Sequence, residues 1–372
     1  MLLNTMIRDM RAMAWRLALV VTMLGLVSPQ VTAQETSVAE QKSRIAEVYA
    51  KTKTAKSATD YTDFVTECEA LLDGELTERN RAYVKSLVAW GYNRRGEKRL
   101  ETATMFLDAG NMESGNKVLL AARKDFDDAT KANPERMRAW FYQGIANVHM
   151  QNYDAAVTSF TKAIDLKAQD PKIFFNRAEA RYEAGQYGGA IEDYNRVLEE
   201  DSGDSQALTG RAHCYYAQAN FEKALQDYDA VAALTSDAPV ALANRADIYQ
   251  VMGKWEMAKA DFKSATTQAN CPSIVFEKAA WMMATCPEDS CRNPGIAMKL
   301  CEQMTDKESP RYFEIKAAAL ACKGEFKAAE SMQQRALAAS DERQEAMNSR
   351  LSLYQDGKEY RQASNPDRLK LQ

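Results

Sequence analysis

The chain has 372 residues, of which 46% are hydrophobic, and its 48 basic and 52 acidic side chains give a formal charge of −4. The hydrophobic content is ample for a folded core. Because Lys and Arg are interspersed with Asp and Glu instead of forming a basic stripe, nucleic-acid binding is not expected.

The amino terminus has the pattern of an export signal. Three arginines precede an apolar run at residues 17–27, and small residues stand at 31–33, where a signal peptidase reads the chain. The run has about eleven residues, whereas a membrane span needs about twenty. We therefore predict a signal peptide over residues 1–33, cleaved after Ala33, and a periplasmic, cell-envelope or secreted protein. An uncleaved membrane anchor is the alternative.

The first part of the mature chain is predicted to be helical. Residues 34–79 are interpreted as an amino-terminal cap made of one helix pair, over 36–56 and 59–73. Residues 80–136 then form a divergent repeat with one long first helix, over 80–109, and a partner helix that follows Gly110. Relative to the regular repeats downstream, about twenty extra residues separate the halves of this unit.

Residues 137–272 contain four copies of a 34-residue unit without insertion or deletion. Small residues return at the eighth and twentieth places and large ones at the fourth, seventeenth and twenty-fourth. The apolar places follow each other at steps of three and four residues, which indicates two amphipathic helices per copy. One such pair cannot bury its own apolar face, so neighbouring pairs must stack into a solenoid. The eighth place holds Gly144, Ala178, Ala212 and Ala246, and the twenty-fourth holds Phe160, Tyr194, Tyr228 and Phe262.

This set of places resembles the tetratricopeptide repeat (TPR), whose signature is a Trp, Leu-Gly, Tyr, Ala, Phe, Ala, Pro series over 34 residues. The terminal Pro is missing from the first three copies. The resemblance implies an all-α fold, a right-handed superhelical solenoid of antiparallel helix pairs, with about seven pairs and a capping helix. It also implies a protein that binds partners and is not an enzyme.

The carboxyl-terminal part continues the pattern less regularly. Residues 273–340 are predicted to form two divergent repeats, and 341–372 a capping helix with a flexible tail that begins after Gln355. The segments 280–287, 292–293, 350–354 and 357–361 resemble the closing part of exported bacterial TPR proteins. Those relatives imply a binding scaffold without naming a partner.

Charged residues recur in register with the repeats. Arginines occupy the seventh place of three copies and aspartates the twenty-third. We interpret them as a structural ladder of ion pairs between helices, and a row of anion-binding arginines is the alternative. The ladder consists of Arg177, Arg211 and Arg245 with Asp193, Asp227 and Asp261.

The resemblance to TPR proteins also indicates where a partner would bind. In that family the first helix of each pair lines a concave groove through its second, fifth, ninth and twelfth places. Aromatic and polar side chains here suit an extended peptide or a helix, although some aromatics could instead pack against the next repeat. The predicted groove residues are Phe141, Ile145, Val148, Phe175, Glu179, Tyr182, Thr209, His213, Tyr216, Asp247 and Gln250.

The seven cysteines of an exported chain invite disulfides. Cys286 and Cys291 are the predicted pair, because both lie in one extended turn between helices. A zinc site on the same two residues is not supported, since no second pair of ligands and no nearby His accompany them.

No catalytic constellation and no phosphate-binding loop is recognisable, so neither an enzymatic activity nor a cofactor is predicted. The sequence therefore predicts a scaffold outside the cytoplasm that binds a protein or peptide. An enzyme-associated or carbohydrate-processing accessory protein of the cell envelope is the alternative.

Overall fold

The computed structural model describes residues 29–166, 169–234, 239–340 and 342–362, with side chains from residue 37 onward. These residues form α-helices and short connections, and no strand occurs among them. Successive helices pack in pairs, which confirms the predicted all-α repeat fold. The chain divides into two compact units, residues 1–168 and 169–372.

The first unit contains two helix pairs, α3 with α4 and α5 with α6, preceded by α1 and α2. The two cap helices α1 and α2 do not form the predicted pair with each other, because α2 packs mainly on α3. The apolar face of α2 that contains Phe64 and Val65 is buried against Val84 and Leu87 of α3. The helices are α1 Pro29–Ala50, α2 Ala58–Leu72, α3 Glu78–Asp108, α4 Met112–Ala132, α5 Met137–His149 and α6 Tyr153–Asp165.

The second unit contains five helix pairs, from α7 with α8 to α15 with α16, and a closing helix α17 that packs on α16. Its helices are α7 Pro171–Glu183, α8 Tyr187–Glu200, α9 Ser205–Ala217, α10 Phe221–Leu234, α11 Pro239–Val251, α12 Trp255–Thr266, α13 Ser273–Thr285, α14 Pro294–Cys301, α15 Pro310–Cys322, α16 Phe326–Ala338 and α17 Gln344–Gln355.

Small residues bring the two helices of a pair close together. At Gly144, the eighth place of the first regular copy, an added Cβ would lie 2.5 Å from the ring of Phe160, at the twenty-fourth place. The alanines at the eighth place of the other copies are fully buried. The eighth and twenty-fourth places are thus the two sides of one close helix crossing.

The turn inside each regular copy reverses the chain through one residue with positive φ. After α5 this residue is Gln151 (φ 59°), and after α9 it is Ala219 (φ 57°). The residue that follows donates its N–H to a carbonyl in the last turn of the helix, as Asn220 does to Tyr215 O at 2.8 Å. This is a Schellman C-cap, which usually has Gly at the left-handed position. Gln151 and Ala219 therefore hold an unfavourable backbone conformation that Gly would relieve.

The predicted flexibility after Gln355 is wrong for residues 356–362. Gln362 is 2% exposed, and its backbone N–H donates to Thr285 O at 2.9 Å. The ring of Tyr360 lies 5.8 Å from that of Trp281. The charged composition of this segment suggested a solvated tail. The segment is ordered instead because α13 provides an aromatic ring on which Tyr360 packs and a backbone acceptor for Gln362. Residues 363–372 lie outside the described part.

The predicted export signal lies almost entirely outside the described residues, which begin at Pro29. Within the part of the chain that the structure describes, no helix combines the length and apolar character needed to cross a membrane.

Candidate functional site

The structure brings each ladder arginine of the second unit together with its aspartate. Arg211 Nε donates to Asp227 Oδ2 at 2.9 Å and Arg211 Nη2 to Asp227 Oδ1 at 2.6 Å. The two-pronged contact repeats in the other pairs because the seventh and twenty-third places face each other across one helix pair. The same bidentate geometry joins Arg177 to Asp193 and Arg245 to Asp261.

These pairs are largely removed from solvent. The Asp227 side chain is 8% exposed and that of Arg211 is 21% exposed. Hydrogen bonding to Asp227 raises the pKa of the Arg211 guanidinium above its ordinary value. An anion would have to displace a buried carboxylate to reach this guanidinium, so the geometry favours a structural role for the ladder.

The first unit contains two relatives of the ladder that sequence reasoning missed. In the first regular copy a neutral pair takes its place, because Ser159 Oγ donates to Gln143 Oε1 at 2.9 Å. In the divergent repeat, Arg95 Nη2 donates to Asp125 Oδ1 at 2.7 Å across thirty residues instead of sixteen. The divergent repeat is therefore longer by fourteen residues, not about twenty. Arg95 precedes Gly96 as Gln143 precedes Gly144, and this spacing was the available signal.

The predicted groove residues of the first unit are partly buried in contacts with their own neighbours. The Phe141 ring lies 5.3 Å from that of Tyr142 and 5.9 Å from that of Phe160. Ile145 packs against the core cluster that contains Phe126. Val148 is also partly buried. Here the alternative interpretation, in which the apolar residues pack within the repeats, describes the contacts better.

Four predicted groove residues of the second unit line one pocket of about 520 Å³, here called the first pocket. Its walls come mainly from the first helices α7, α9 and α11. The side chains are mostly apolar, with a carboxylate and a few hydrogen-bonding groups, which is the usual composition of a binding pocket. It is lined by Phe175, Glu179, Ser205, Gln206, Thr209, Gly210, His213, Val231, Pro239, Val240 and Ala241.

The polar groups of the first pocket are held by the surrounding structure. Glu179 accepts a hydrogen bond from the hydroxyl of Tyr194, and burial raises the pKa of that hydroxyl. Burial, and then the nearby charge of Lys278, lower the pKa of His213. The imidazole is therefore neutral at pH 7 and can donate or accept a hydrogen bond. Its Nε2 lies 3.3 Å from Asn244 Nδ2.

The next predicted residues along the repeats line a second pocket of about 340 Å³, here called the second pocket. It contains opposite charges that pair with one another, since Lys278 Nζ lies 2.8 Å from Asp247 Oδ2 and Arg311 Nε lies 3.3 Å from Glu277 Oε1. The pocket is lined by Tyr216, Asp247, Gln250, Val251, Ile274, Glu277, Lys278, Trp281, Arg311 and Gln362.

Tyr182 is the one predicted groove residue of the second unit that lines neither pocket. Its ring lies 5.6 Å from that of Tyr187 and 6.1 Å from the imidazole of His213. Tyr182 therefore packs beside the imidazole of His213 and lies outside both pockets.

Sequence reasoning missed seven of the ten residues that line the second pocket, although the repeat register points to three of them. Extending the 34-residue period one step past residue 272 puts Ile274, Glu277 and Trp281 at the second, fifth and ninth places of the next unit. All three line the second pocket. Gln362 could not have been found in this way, because it belongs to no repeat.

The disulfide predicted between Cys286 and Cys291 is not formed in this structure, where both are free and fully buried. Burial raises the pKa of the Cys286 thiol to about 12, and the neighbouring Cys291 adds a smaller contribution. Burial also raises the pKa of Cys291. A protonated, buried thiol is a poor nucleophile for disulfide exchange.

Two models of the tetratricopeptide repeat match the chain, one over residues 119–171 and the other over 181–243. Both matches cover regions in which the structure shows helix pairs of the expected spacing. No curated protein matches the sequence.

Several solved structures are similar to this chain. A tetratricopeptide repeat protein from Parabacteroides merdae ATCC 43184 is 20% identical with a TM-score of 0.50, over 70% of this chain and 98% of the other. Yeast Tom70 is 14% identical with a TM-score of 0.47, over 81% and 59%. YrrB, described as a TPR protein with an unusual peptide-binding site, is 18% identical with a TM-score of 0.38, over 45% and 83%. The first likeness supports the fold.

Proposed function

Because the chain is a tetratricopeptide repeat protein, we propose that it is a non-enzymatic scaffold outside the cytoplasm that binds a peptide or helix of a partner protein. The surface formed by the first helices of the second unit is the binding surface in this proposal, and the first pocket holds the partner's main anchor.

The observation that carries the proposal is the first pocket itself. It has apolar walls from Phe175, Val231 and Val240, while Glu179 is exposed beside them. An apolar side chain of a partner would bury its surface there, and the carboxylate would favour a neighbouring basic or N–H group. The neutral imidazole of His213 adds an uncharged hydrogen-bonding group. This is the chemistry of a peptide site with one anchor and polar selection around it.

The ladder supports the same proposal indirectly. Each arginine of the second unit's ladder is engaged by a buried aspartate, so these charges hold the helix pairs together instead of facing a ligand. A rigid arrangement of first helices lowers the entropy lost when a peptide is ordered on them.

Crosslinking in cells, followed by mass spectrometry of the captured proteins, tests the scaffold function. Thr209 lines the first pocket, and Thr209→Arg would fill it with a charged side chain. Gln226→Arg adds the same charge at an exposed position on α10, outside both pockets. We expect reproducible protein partners that are lost in Thr209→Arg and retained in Gln226→Arg. Retention of glycans or small molecules alone would contradict the proposal.

Export is the second part of the proposal and rests on the sequence pattern of residues 1–33. Amino-terminal sequencing of the native protein tests it. We expect the mature chain to begin at Gln34, whereas a chain that retains residues 1–33 and sediments with membranes would support the anchored alternative.

A further inference from the structure

The last described residues of the chain occupy part of the binding surface. Gln362 follows α17 by seven residues, yet its side chain lines the second pocket together with Tyr216, Asp247 and Gln250. Those three residues were predicted from the repeat register to face a ligand. A segment of the same chain therefore stands where a partner peptide would be expected.

We propose that the second pocket and the adjoining surface of α13 form a peptide-binding site that is filled by the chain's own residues 359–362, here called the strap. This inference rests on the proposed function, because it describes how access to the same surface is regulated. In this proposal a partner peptide can bind to the second pocket only when the strap dissociates from it.

The strap is held as an extended peptide is held by a binding protein. Alternate side chains enter the surface, since Tyr360 packs on Trp281 and Gln362 is buried, while Arg361 between them is 43% exposed. Alternation of inward and outward side chains is the geometry of an extended backbone. Two anchors separated by one exposed residue define the pattern that this site accepts.

Gln362 is the most fully satisfied of these anchors. Its N–H donates to Thr285 O at 2.9 Å, its Nε2 donates to Gln250 Oε1 at 2.7 Å, and its Oε1 lies 3.1 Å from Thr285 Oγ1. A buried amide costs free energy unless it is hydrogen-bonded. The site thus provides a backbone acceptor and two side-chain partners for one glutamine, which selects this residue over an apolar one.

Tyr360 is the aromatic anchor and connects the strap to the closing helix. Its ring lies 5.8 Å from that of Trp281 and 5.5 Å from the guanidinium carbon of Arg350 on α17. Arg350 in turn pairs with the fully buried Glu314 of α15. The guanidinium of Arg311 covers the Trp281 ring at 4.0 Å. The aromatic site is therefore assembled only when α17 is seated.

Charged groups align the strap without filling the pocket. Glu359 lies 3.5 Å from Arg292, and Arg361 Nη1 donates to Pro287 O at 3.0 Å. Both contacts are with the turn between α13 and α14, which also contains Cys286 and Cys291.

The strap has a large advantage over a free peptide. Only residues 356–358 separate it from α17, so its effective concentration at the site is in the millimolar range expected for a short tether. The apparent Kd of an external peptide of similar sequence is then its intrinsic Kd divided by the fraction of molecules in which the strap is open. Release of the strap is therefore the step that controls access.

Binding of a synthetic peptide with the sequence of residues 357–372 tests the inference with the full chain. The double variant Tyr360→Ser, Gln362→Ala removes both anchors of the strap and leaves the other residues that line the second pocket unchanged. We expect the labelled peptide to bind the double variant at least tenfold more tightly than the wild-type chain. A peptide that carries the same two substitutions should bind neither protein.

Two controls keep the result interpretable. Lys358→Ala changes an exposed strap-side residue whose side chain contacts only Asp356 among the contacts described, so it should behave as the wild type. Hydrogen exchange of the Gln362 amide reports closure directly, with protection in the wild type and at least tenfold faster exchange in the double variant. Equal peptide binding to both proteins, binding to neither, or an unprotected Gln362 amide in the wild type overturns the inference.

Failure of the strap and failure of the scaffold function can be told apart. Thr209→Arg blocks only the first pocket, so it should leave binding of the strap peptide to the double variant unchanged. If the peptide binds as expected while no protein is captured in cells, the strap stands and the scaffold function fails. If proteins are captured through the first pocket and the double variant captures no more than the wild type, the strap does not control access.

Discussion

Arg211 and Asp227 form a two-pronged ion pair, with N–O distances of 2.9 and 2.6 Å, across the helix pair α9 and α10. The residues are sixteen positions apart, and the same separation joins the other two ladder pairs of the second unit. The 34-residue period thus places one such ion pair in each of the last three regular repeats. The pair ties the first helix to the second at the level where their backbones approach most closely.

Removal of the arginine should destabilise the second unit. Arg211→Met leaves the carboxylate of Asp227 buried without its main partner, and we expect the free energy of unfolding to fall by about 3 kcal/mol. Arg196→Met is the matched control, because Arg196 and its partner Glu199 are exposed, and it should change stability by less than about 1 kcal/mol. Urea unfolding followed by circular dichroism measures both. Unchanged stability together with lost partner binding would instead favour the anion-binding interpretation.

Replacing the residue with positive φ after α9 by glycine should raise the stability of the second unit. Ala219 has φ 57°, so Ala219→Gly relieves backbone strain, and we expect a gain of about 0.5 to 1 kcal/mol after the entropy of Gly is subtracted. Ala217→Gly, two residues earlier at the last residue of α9, should lower stability by up to about 1 kcal/mol. Thermal unfolding of the two variants measures the difference. Two changes of the same sign would refute the conformational explanation.

Stability should depend on pH through His213. Burial and Lys278 lower its pKa in the folded protein below the ordinary value of 6.5, so the unfolded chain binds the proton more readily. The contribution of His213 to stability is therefore fully present above about pH 6.5. It is lost as the pH falls towards the folded pKa, by at most about 1.4 kcal/mol per pH unit. His213→Gln should reduce the loss between pH 7 and pH 5.

The second histidine of the chain provides the control for this measurement. His149 is exposed and lies in the first unit, and His149→Gln is the matched control variant. An equal reduction in both variants would mean that His213 is not the group responsible.

The thiols of the second unit should differ in reactivity. With a pKa of about 12, Cys286 has about one thiolate in ten thousand at pH 8, whereas Cys271 is partly exposed. Alkylation by iodoacetamide, mapped by mass spectrometry after purification under reducing conditions, should modify Cys271 well before Cys286. Rapid alkylation of both Cys286 and Cys291 would contradict the burial of these two thiols. A non-reduced peptide of the exported protein that contains Cys286 and Cys291 and is two mass units lighter than its reduced form would establish the predicted disulfide.

Local spacing in the sequence was sufficient to predict the helix pairs of the regular repeats, the ladder positions and seven of the residues that line the two pockets. The reason is physical: a period of 34 residues without insertions repeats every contact within a pair, so one copy explains the others. Where the period is broken, between Arg95 and Asp125, the same contact survives across a longer helix pair, and its offset could not be read from the regular copies.

Only the tertiary structure decided where residues 356–362 lie. Residues 356–362 are polar and charged, and nothing in that composition indicates burial. Gln362 and Thr285 are 77 positions apart, and their contact exists because α13, α15 and α17 together form a surface with a backbone acceptor, an aromatic ring and a paired guanidinium. The repeat period determined where the proposed binding surface lies, because it acts through local contacts. The packing of helices distant in sequence determined that part of this surface is already occupied.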